Sequence, residues 1–259
     1  MATVKQSPAP GLAETLARRD GLVVLCSALL ITALAAWYIF AGAGLEMTMN
    51  PVWTVGYAVL NFLMWWIMMI AMMTPSAAPM LLLYTAIKRM GADRDRVVGL
   101  SLIFLVGYLL AWGGFSVIAT AAQWQVESLG LSMGAMMPIK SDIIAGMVLL
   151  LAGIYQFSGF KETCLTHCRS PGQFLADHNS PGLLGALRLG VLHGGYCLGC
   201  CWALMALLFV GGIMNLYWVV AIALYVLAEK TLPRVRRLTF LTGGALLLSG
   251  AYLLISAVV

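Results

Sequence analysis

The sequence predicts an all-α integral membrane protein of about seven transmembrane helices, with the N-terminus cytoplasmic and the C-terminus outside. Three observations carry this. Of the 259 residues, 62% are hydrophobic and 10% charged, leaving few positions suited to water. Several apolar runs exceed the ~18 residues that mark a spanning helix. The third is the placement of basic residues. With the N-terminus cytoplasmic, the cytoplasmic segments hold Lys5, Arg18, Arg19, Lys88, Arg89, Arg94, Arg96, Lys161, Arg169, Arg188, Lys230, Arg234, Arg236 and Arg237, which leaves only Lys140 outside. The net charge of +5 follows this membrane pattern and is no sign of a nucleic-acid partner. No long polar segment leaves room for a soluble domain, so residues 1–259 read as a single polytopic membrane domain.

The expected spans are 21–41, 54–74, 97–122, 141–158, 186–213, 215–230 and 238–259. Residues 1–20 are mostly polar and read as a cytoplasmic tail; the run that follows is long enough for an uncleaved anchor rather than a signal peptide. The stretch from Trp53 to Ile87 would be about 52 Å long as one helix, well over the ~30 Å apolar thickness. Pro75 and Pro79 are therefore expected to end or kink the second span, with 76–87 running along the cytoplasmic face. An outer loop over 123–140 carries Trp124, Glu127, Met136 and Met137. The longest cytoplasmic connection, 159–185, reads as a loop rich in cysteine and histidine. The fifth and sixth spans meet in a tight antiparallel turn at Met214–Asn215.

Chemistry concentrates in the fifth span. His193, Cys197, Cys200 and Cys201 fall within an arc of about 100° when plotted at 100° per residue. One or two thiolates with an imidazole suit a soft ion, copper first and zinc as the alternative, with further ligands from other helices. Gly190 and Gly194 would admit a neighbouring helix on that side, and Gly195 with Gly199 a second one opposite. Packing alone also explains a small apolar cysteine. Three of them with a histidine, inside a membrane, point to function.

Two further groups are candidates. Cys164-Leu165-Thr166-His167-Cys168 places two thiols around an imidazole in a reducing compartment, suited to a soft metal or to thiol exchange. Lys161 and Arg169 flank it, while His178 reads as a surface residue. In the second span Met64, Met68 and Met72 recur every four residues, with Met69 and Met73 in a neighbouring row. Met68 and Met72 are taken as candidate thioether ligands, against the commoner role of methionine as core filler. Glu229, at the cytoplasmic boundary, is expected to pair with Lys230, Lys161 or a loop arginine. There is no serine–histidine–aspartate set, phosphate loop, haem-attachment motif or pair of intramembrane carboxylates, so enzyme chemistry has little to stand on.

The segments MWWIMMIAMMTPSAAP (64–79), YQFSGFKETCLTHCRSPGQFL (155–175), GYCLGCCWALMALLFVGGIMNLYW (195–218) and AEK (228–230) resemble a bacterial family described as a predicted metal-binding integral membrane protein, a domain of unknown function with the CLGCCWALM signature. The resemblance runs from about residue 55 to 230. It implies Cys164, Cys168, Cys197, Cys200 and Cys201 as ligands, and a multi-pass protein of the bacterial cytoplasmic (inner) membrane. The leading expectation is a soft-metal protein that transports or delivers the ion, or supports a membrane metalloenzyme, with that enzyme or a metal chaperone as partner. Two others stay open: a transmembrane thiol–disulfide oxidoreductase, and a structural subunit whose cysteines only pack.

Overall fold

The computed structural model describes residues 12–40, 53–91, 93–131, 138–232 and 235–257. In chain order its helices are α1 (Leu12–Phe40), α2 (Val55–Met90), α3 (Val97–Ser128, entered through a 3-10 turn at Arg94–Arg96), α4 (Asp142–Gln156), α5 (Gly159–Arg169), α6 (Pro171–His178), α7 (Gly182–Gly211), α8 (Leu216–Thr231) and α9 (Val235–Ser256). No strand occurs among the described residues.

Seven helices lie where seven spans are expected, but the lengths support fewer crossings. Five stretches are long and apolar enough to cross a membrane: Gly21–Tyr38, Val55–Met90, Arg94–Ser128, Gly182–Gly211 and Arg236–Ser256. A sixth arises if α4 and α5, bent by 63° at their junction, act as one broken span. At 1.5 Å per residue α4 reaches only ~22 Å and α8 ~24 Å, short of the ~30 Å apolar layer.

Two segments differ from expectation. Residues 159–185 are not a loop: Ser158 caps α5 by accepting from the Lys161 N–H (3.2 Å), Pro171 opens α6, and both helices fold back onto the bundle. The second span does not end at its prolines either; α2 runs through Pro75 and Pro79 to Met90. Interior prolines are tolerated where neighbours engage the local backbone. The prolines leave the Ala71 and Pro75 carbonyls without their usual helical donors; separately, the nearby Met73 carbonyl accepts both Ser76 Oγ (2.8 Å) and Tyr108 Oη (3.0 Å). Lys88, in the last turn of α2, pairs with Asp93 at 3.1 Å and donates to the Ser180 carbonyl at 3.2 Å, tying that end to the start of α7. Trp124 and Glu127 lie within α3, Met136 and Met137 lie outside the described residues, and of the polar tail residues 12–20 are already helical.

Packing follows the small residues. α3 lies against α7, α4 against α9, α1 against α2, and α5 against α7. A Cβ at Gly190 would overlap the Phe104 carbonyl, and one at Gly107 would overlap that of Leu187, so the α3 and α7 backbones touch. The Gly190–Gly194 face thus receives a helix as expected. On the opposite side the expectation holds for half the pair: Gly199 lies against the Cys164 sulfur, whereas Gly195 has open space around it. Gly212, at a φ of 96°, turns α7 into α8, and Asn215 caps α8 by accepting from the Trp218 N–H. At the other end of α2, Gln123 joins Asn61, Trp65 and Glu127, and Glu127 reaches Trp53, in a polar network closing that end of the core.

The same substitution should act oppositely at two glycines of α7. Gly190→Ala is expected to lower stability by about 1–3 kcal/mol through overpacking. Gly195→Ala is expected to be neutral or to stabilise by up to ~1 kcal/mol through helix propensity. Thermal unfolding in detergent reads both; equal effects would contradict the close contact.

Candidate metal centre

The bundle encloses sulfur at mid-height of α7. Cys197, Cys200 and Cys201 are at most 1% exposed, and His193 3%. Cysteines three and four positions on can reach back along a helix, and both do: Cys200 Sγ and Cys201 Sγ donate to the Cys197 carbonyl at 3.0 and 2.9 Å. Cys197 Sγ faces other helices instead. Lys230 Nζ of α8 donates to it at 2.9 Å, and Tyr108 Oη of α3 lies 3.0 Å away. Lys230 also reaches Ser76 Oγ of α2 at 2.9 Å.

Tyr108 carries one proton and has two acceptors, the Met73 carbonyl at 3.0 Å and the Cys197 sulfur. When Cys197 is a thiol, its proton can point to Tyr108 while Tyr108 donates to Met73. When that proton is absent, the phenol can turn to the sulfur. The pocket therefore accommodates either state of Cys197 with no movement of backbone.

The short helix α5 joins the two cysteine groups. Cys168 of α5 comes into the neighbourhood of Cys200 of α7, while Cys200 and Cys201 keep their hydrogen bonds to the Cys197 carbonyl. Cys164, buried, packs on Gly199 beside them. Cys168 is half-buried and is the most accessible of these thiols.

An ion pair holds α5 there. Lys161 Nζ meets the Glu229 carboxylate of α8 at 2.7 and 2.9 Å, with both side chains 2% exposed. Tyr225 Oη (2.7 Å) and Thr239 Oγ1 (3.0 Å) also donate to Glu229. Arg169 donates to the Leu232 carbonyl at 2.6 Å. Of the partners expected for Glu229, Lys161 is the one found, and neither Lys161 nor Arg169 provides the cation on Cys197.

The other candidates are placed as follows. His193 sits among Phe104, Tyr108 and Phe174, with ring centroids 5.6–6.0 Å away, and its buried Nδ1 has no hydrogen-bond partner. His167 stacks on Tyr196 at 4.3 Å and its Nδ1 meets the Thr163 carbonyl, so it packs against the rim of α7. His178 stacks on Phe174 at the end of α6. Met68 and Met72 are buried on α2. Among the described residues, no group of three or more His, Cys, Asp and Glu side chains is placed to hold one metal ion. The thiols form a line rather than a cage, because two turn back to a carbonyl and the third turns to Lys230.

Sulfur and imidazole of this kind suit a soft ion of low coordination number. The unpartnered nitrogen of His193 and the Lys230 ammonium are the features that a purely packed cluster would not need. Sequence reasoning missed Lys230, Tyr108 and Ser76 as parts of this centre. Lys230 had a signal, a basic residue in the last turn of an apolar helix. Tyr108 and Ser76 had none, since each matters only through its position in space.

Fold and site define a class: an all-α protein with long apolar helices around a buried line of thiols. Within that class, the copper chaperone family PpoB2 matches residues 62–253, and the chain belongs to it. The match agrees with the metal-binding resemblance and makes it copper-related. Neither the curated proteins nor the solved structures give a match.

Lys161→Met would leave the Glu229 carboxylate buried without its cation, and a loss of about 3–5 kcal/mol is expected. The double variant Lys161→Met/Glu229→Leu should recover most of it, because no charge then remains to be compensated. Unfolding of the three proteins side by side checks this; an additive double variant would mean that the pair is not coupled.

Proposed function

We propose that this protein is a multi-pass inner-membrane chaperone for copper(I), carried as cargo on Cys197, Cys200 and Cys201 with Cys168 and Cys164. The observation behind it is the packing of Cys164 of α5 on Gly199 of α7, which brings the two cysteine motifs into one buried neighbourhood. Copper(I) exchanges readily among soft ligands. Neighbouring thiols let each new sulfur bind before the previous one leaves.

Charge supports the same reading. A thiolate in an apolar interior needs a compensating cation. Lys230 supplies one at Cys197, and the copper ion supplies another. His193, one helical turn from Cys197, offers the free lone pair of its Nδ1 as a neutral ligand. The accessible Cys168 takes up the ion on the side where the basic residues place the cytoplasm, and His167 orders α5 there by stacking on Tyr196. The recipient is a membrane metalloenzyme or a further metal chaperone. Seven spans, counting the short α4 and α8, fit an N-terminus inside and a C-terminus outside.

The approach of the α5 thiols to those of α7 also favours a second reading, a thiol–disulfide relay in which Cys168 and Cys200 form the exchanging bond.

Protein purified under reducing conditions should contain near-stoichiometric copper, and the Cys197/Cys200/Cys201→Ser triple variant none. Zinc in place of copper would change the cargo. Absence of metal from both, together with a captured Cys168–Cys200 disulfide, would favour the relay. Lys230→Gln is expected to weaken copper binding about tenfold by removing one charge-assisted hydrogen bond, read by competition with a copper(I) chelator. Unchanged affinity would remove Lys230 from the centre.

A further inference from the structure

Two observed contacts fix how α2 faces α7 and α8. At one level Trp65 of α2 stacks on Phe209 of α7, with centroids 5.3 Å apart. At the other, Ser76 of α2 meets Lys230, which holds Cys197 of α7. The helices are antiparallel, and 65 with 209, like 76 with 197, gives nearly the same sum, so the register is consistent over the stretch between.

The stripe of α2 joining Trp65 to Ser76 is set by helical periodicity. Three turns on from Trp65, Ser76 returns almost to the same angular position, with Met69 slightly to one side of that line and Met72 slightly to the other. Met69 and Met72 therefore occupy the facing side between the two contacts. On α7 the residues between the two contacts are Cys201 and Met205; each step of four drifts by about 40°, so the side turned to α2 winds from Cys197 through them to Phe209. The register brings Met69 level with Met205, and Met72 level with Cys201. All three methionines are buried, Met69 and Met205 with no exposure.

We infer that Met69, Met72 and Met205 form a second copper(I) station, one turn beyond the thiols toward the Trp53–Glu127 end of the bundle. This rests on the proposed copper function and deepens it by giving the cargo a next position. Thioethers are soft and uncharged, so they can hold a monovalent soft cation without a buried anion. Transfer from Cys201 to this station is ligand exchange alone: a copper–sulfur bond forms to a thioether and one to a thiolate breaks, with no change of oxidation state. The released Cys201 thiolate, buried away from water, accepts the next copper ion passed along the thiols. Beyond the station, Trp65 donates to Gln123 in the polar network at that end of the core. The bland alternative, methionine as gap filler, predicts no metal at these sulfurs.

The test is copper(I) titration of the full-length protein in detergent against a competing chelator. The native protein should bind one equivalent tightly and a second about tenfold or more weakly, since thioethers bring no charge. The Met69/Met72/Met205→Leu variant should keep the first equivalent and lose the second. Leucine conserves volume closely, so the fold should survive. Selenomethionine labelling gives a readout without substitution: copper–selenium scattering should appear with the second equivalent and not the first. A leucine variant that still binds both, or a second equivalent without selenium neighbours, overturns the station. A serine variant of the helix-α7 thiols that keeps the first equivalent overturns the copper reading of the thiols instead, so the two failures are distinguishable.

Discussion

Among the described residues, every buried charge lies against an opposite charge or a polarisable partner, and much of the architecture follows from that constraint. Glu229 and Lys230 are consecutive on α8 and face different ways. Glu229 takes Lys161 and so fixes α5, and Lys230 takes Cys197 and Ser76 and so links α8 to α7 and α2. An unpaired ion in such surroundings would cost several kcal/mol, so each contact restricts where its helix can sit. The brevity of α8 belongs to the same arrangement. It ends level with Cys197, and the flank of α7 left uncovered below is where α5 and α6 lie.

The second constraint is backbone proximity. Gly107, Gly190 and Gly194 let α3 and α7 meet without side chains between them, which places the Tyr108 hydroxyl against Cys197 and the Tyr108 ring beside His193. A wider separation would have drawn the phenol away from the thiol. The glycines therefore set the geometry of the polar contacts around the cluster, although none of them touches Lys230. On the far side, Gly199 lets α5 come close enough for Cys164 to lie against α7.

The helices were legible in the sequence because apolar length and punctuation are local properties, and Gly212 and Asn215 act within a few residues of the turn they make. Crossing number was less legible: the composition of α4 and α8 is that of a span, but their lengths are set by what packs beside them. The segment 159–185 was misread as a loop because its turn residues suggested irregular chain. In the structure Ser158 caps α5 and Pro171 is the first residue of α6, and the apolar contacts of these helices come from α7 and, for α6, also from α2. The thiols, histidine and methionines of the site stood out by type and spacing. Their proximity did not, since the α5 and α7 thiols lie on different helices with all of α6 between them in the chain, and the two helices meet only in space, with Cys164 against Gly199. Lys230 was assigned to membrane orientation and to Glu229 rather than to Cys197, because a lysine at a helix end is ordinarily read that way.

A line of thiols differs physically from a cage, and the difference bears on the proposed role. A cage of three or four converging ligands holds an ion by satisfying its full geometry at once, and release then requires breaking several bonds together. In a line, each position offers one or two sulfurs, and the next donor waits within a few ångströms. Retention is weaker but exchange is easy, which is what a carrier needs and a structural or catalytic site does not. The hydrogen bonds found here suit that use. Cys200 and Cys201 rest on a backbone carbonyl that asks nothing of their sulfur lone pairs, so turning either toward an incoming copper ion breaks only one weak S–H contact. Cys197 is held more firmly, by Lys230 and Tyr108, and is the position where the ion would dwell. In the proposed role, a gradient of this kind, from an accessible thiol through loosely held ones to one anchored by a cation, would give copper a direction of movement without any moving part.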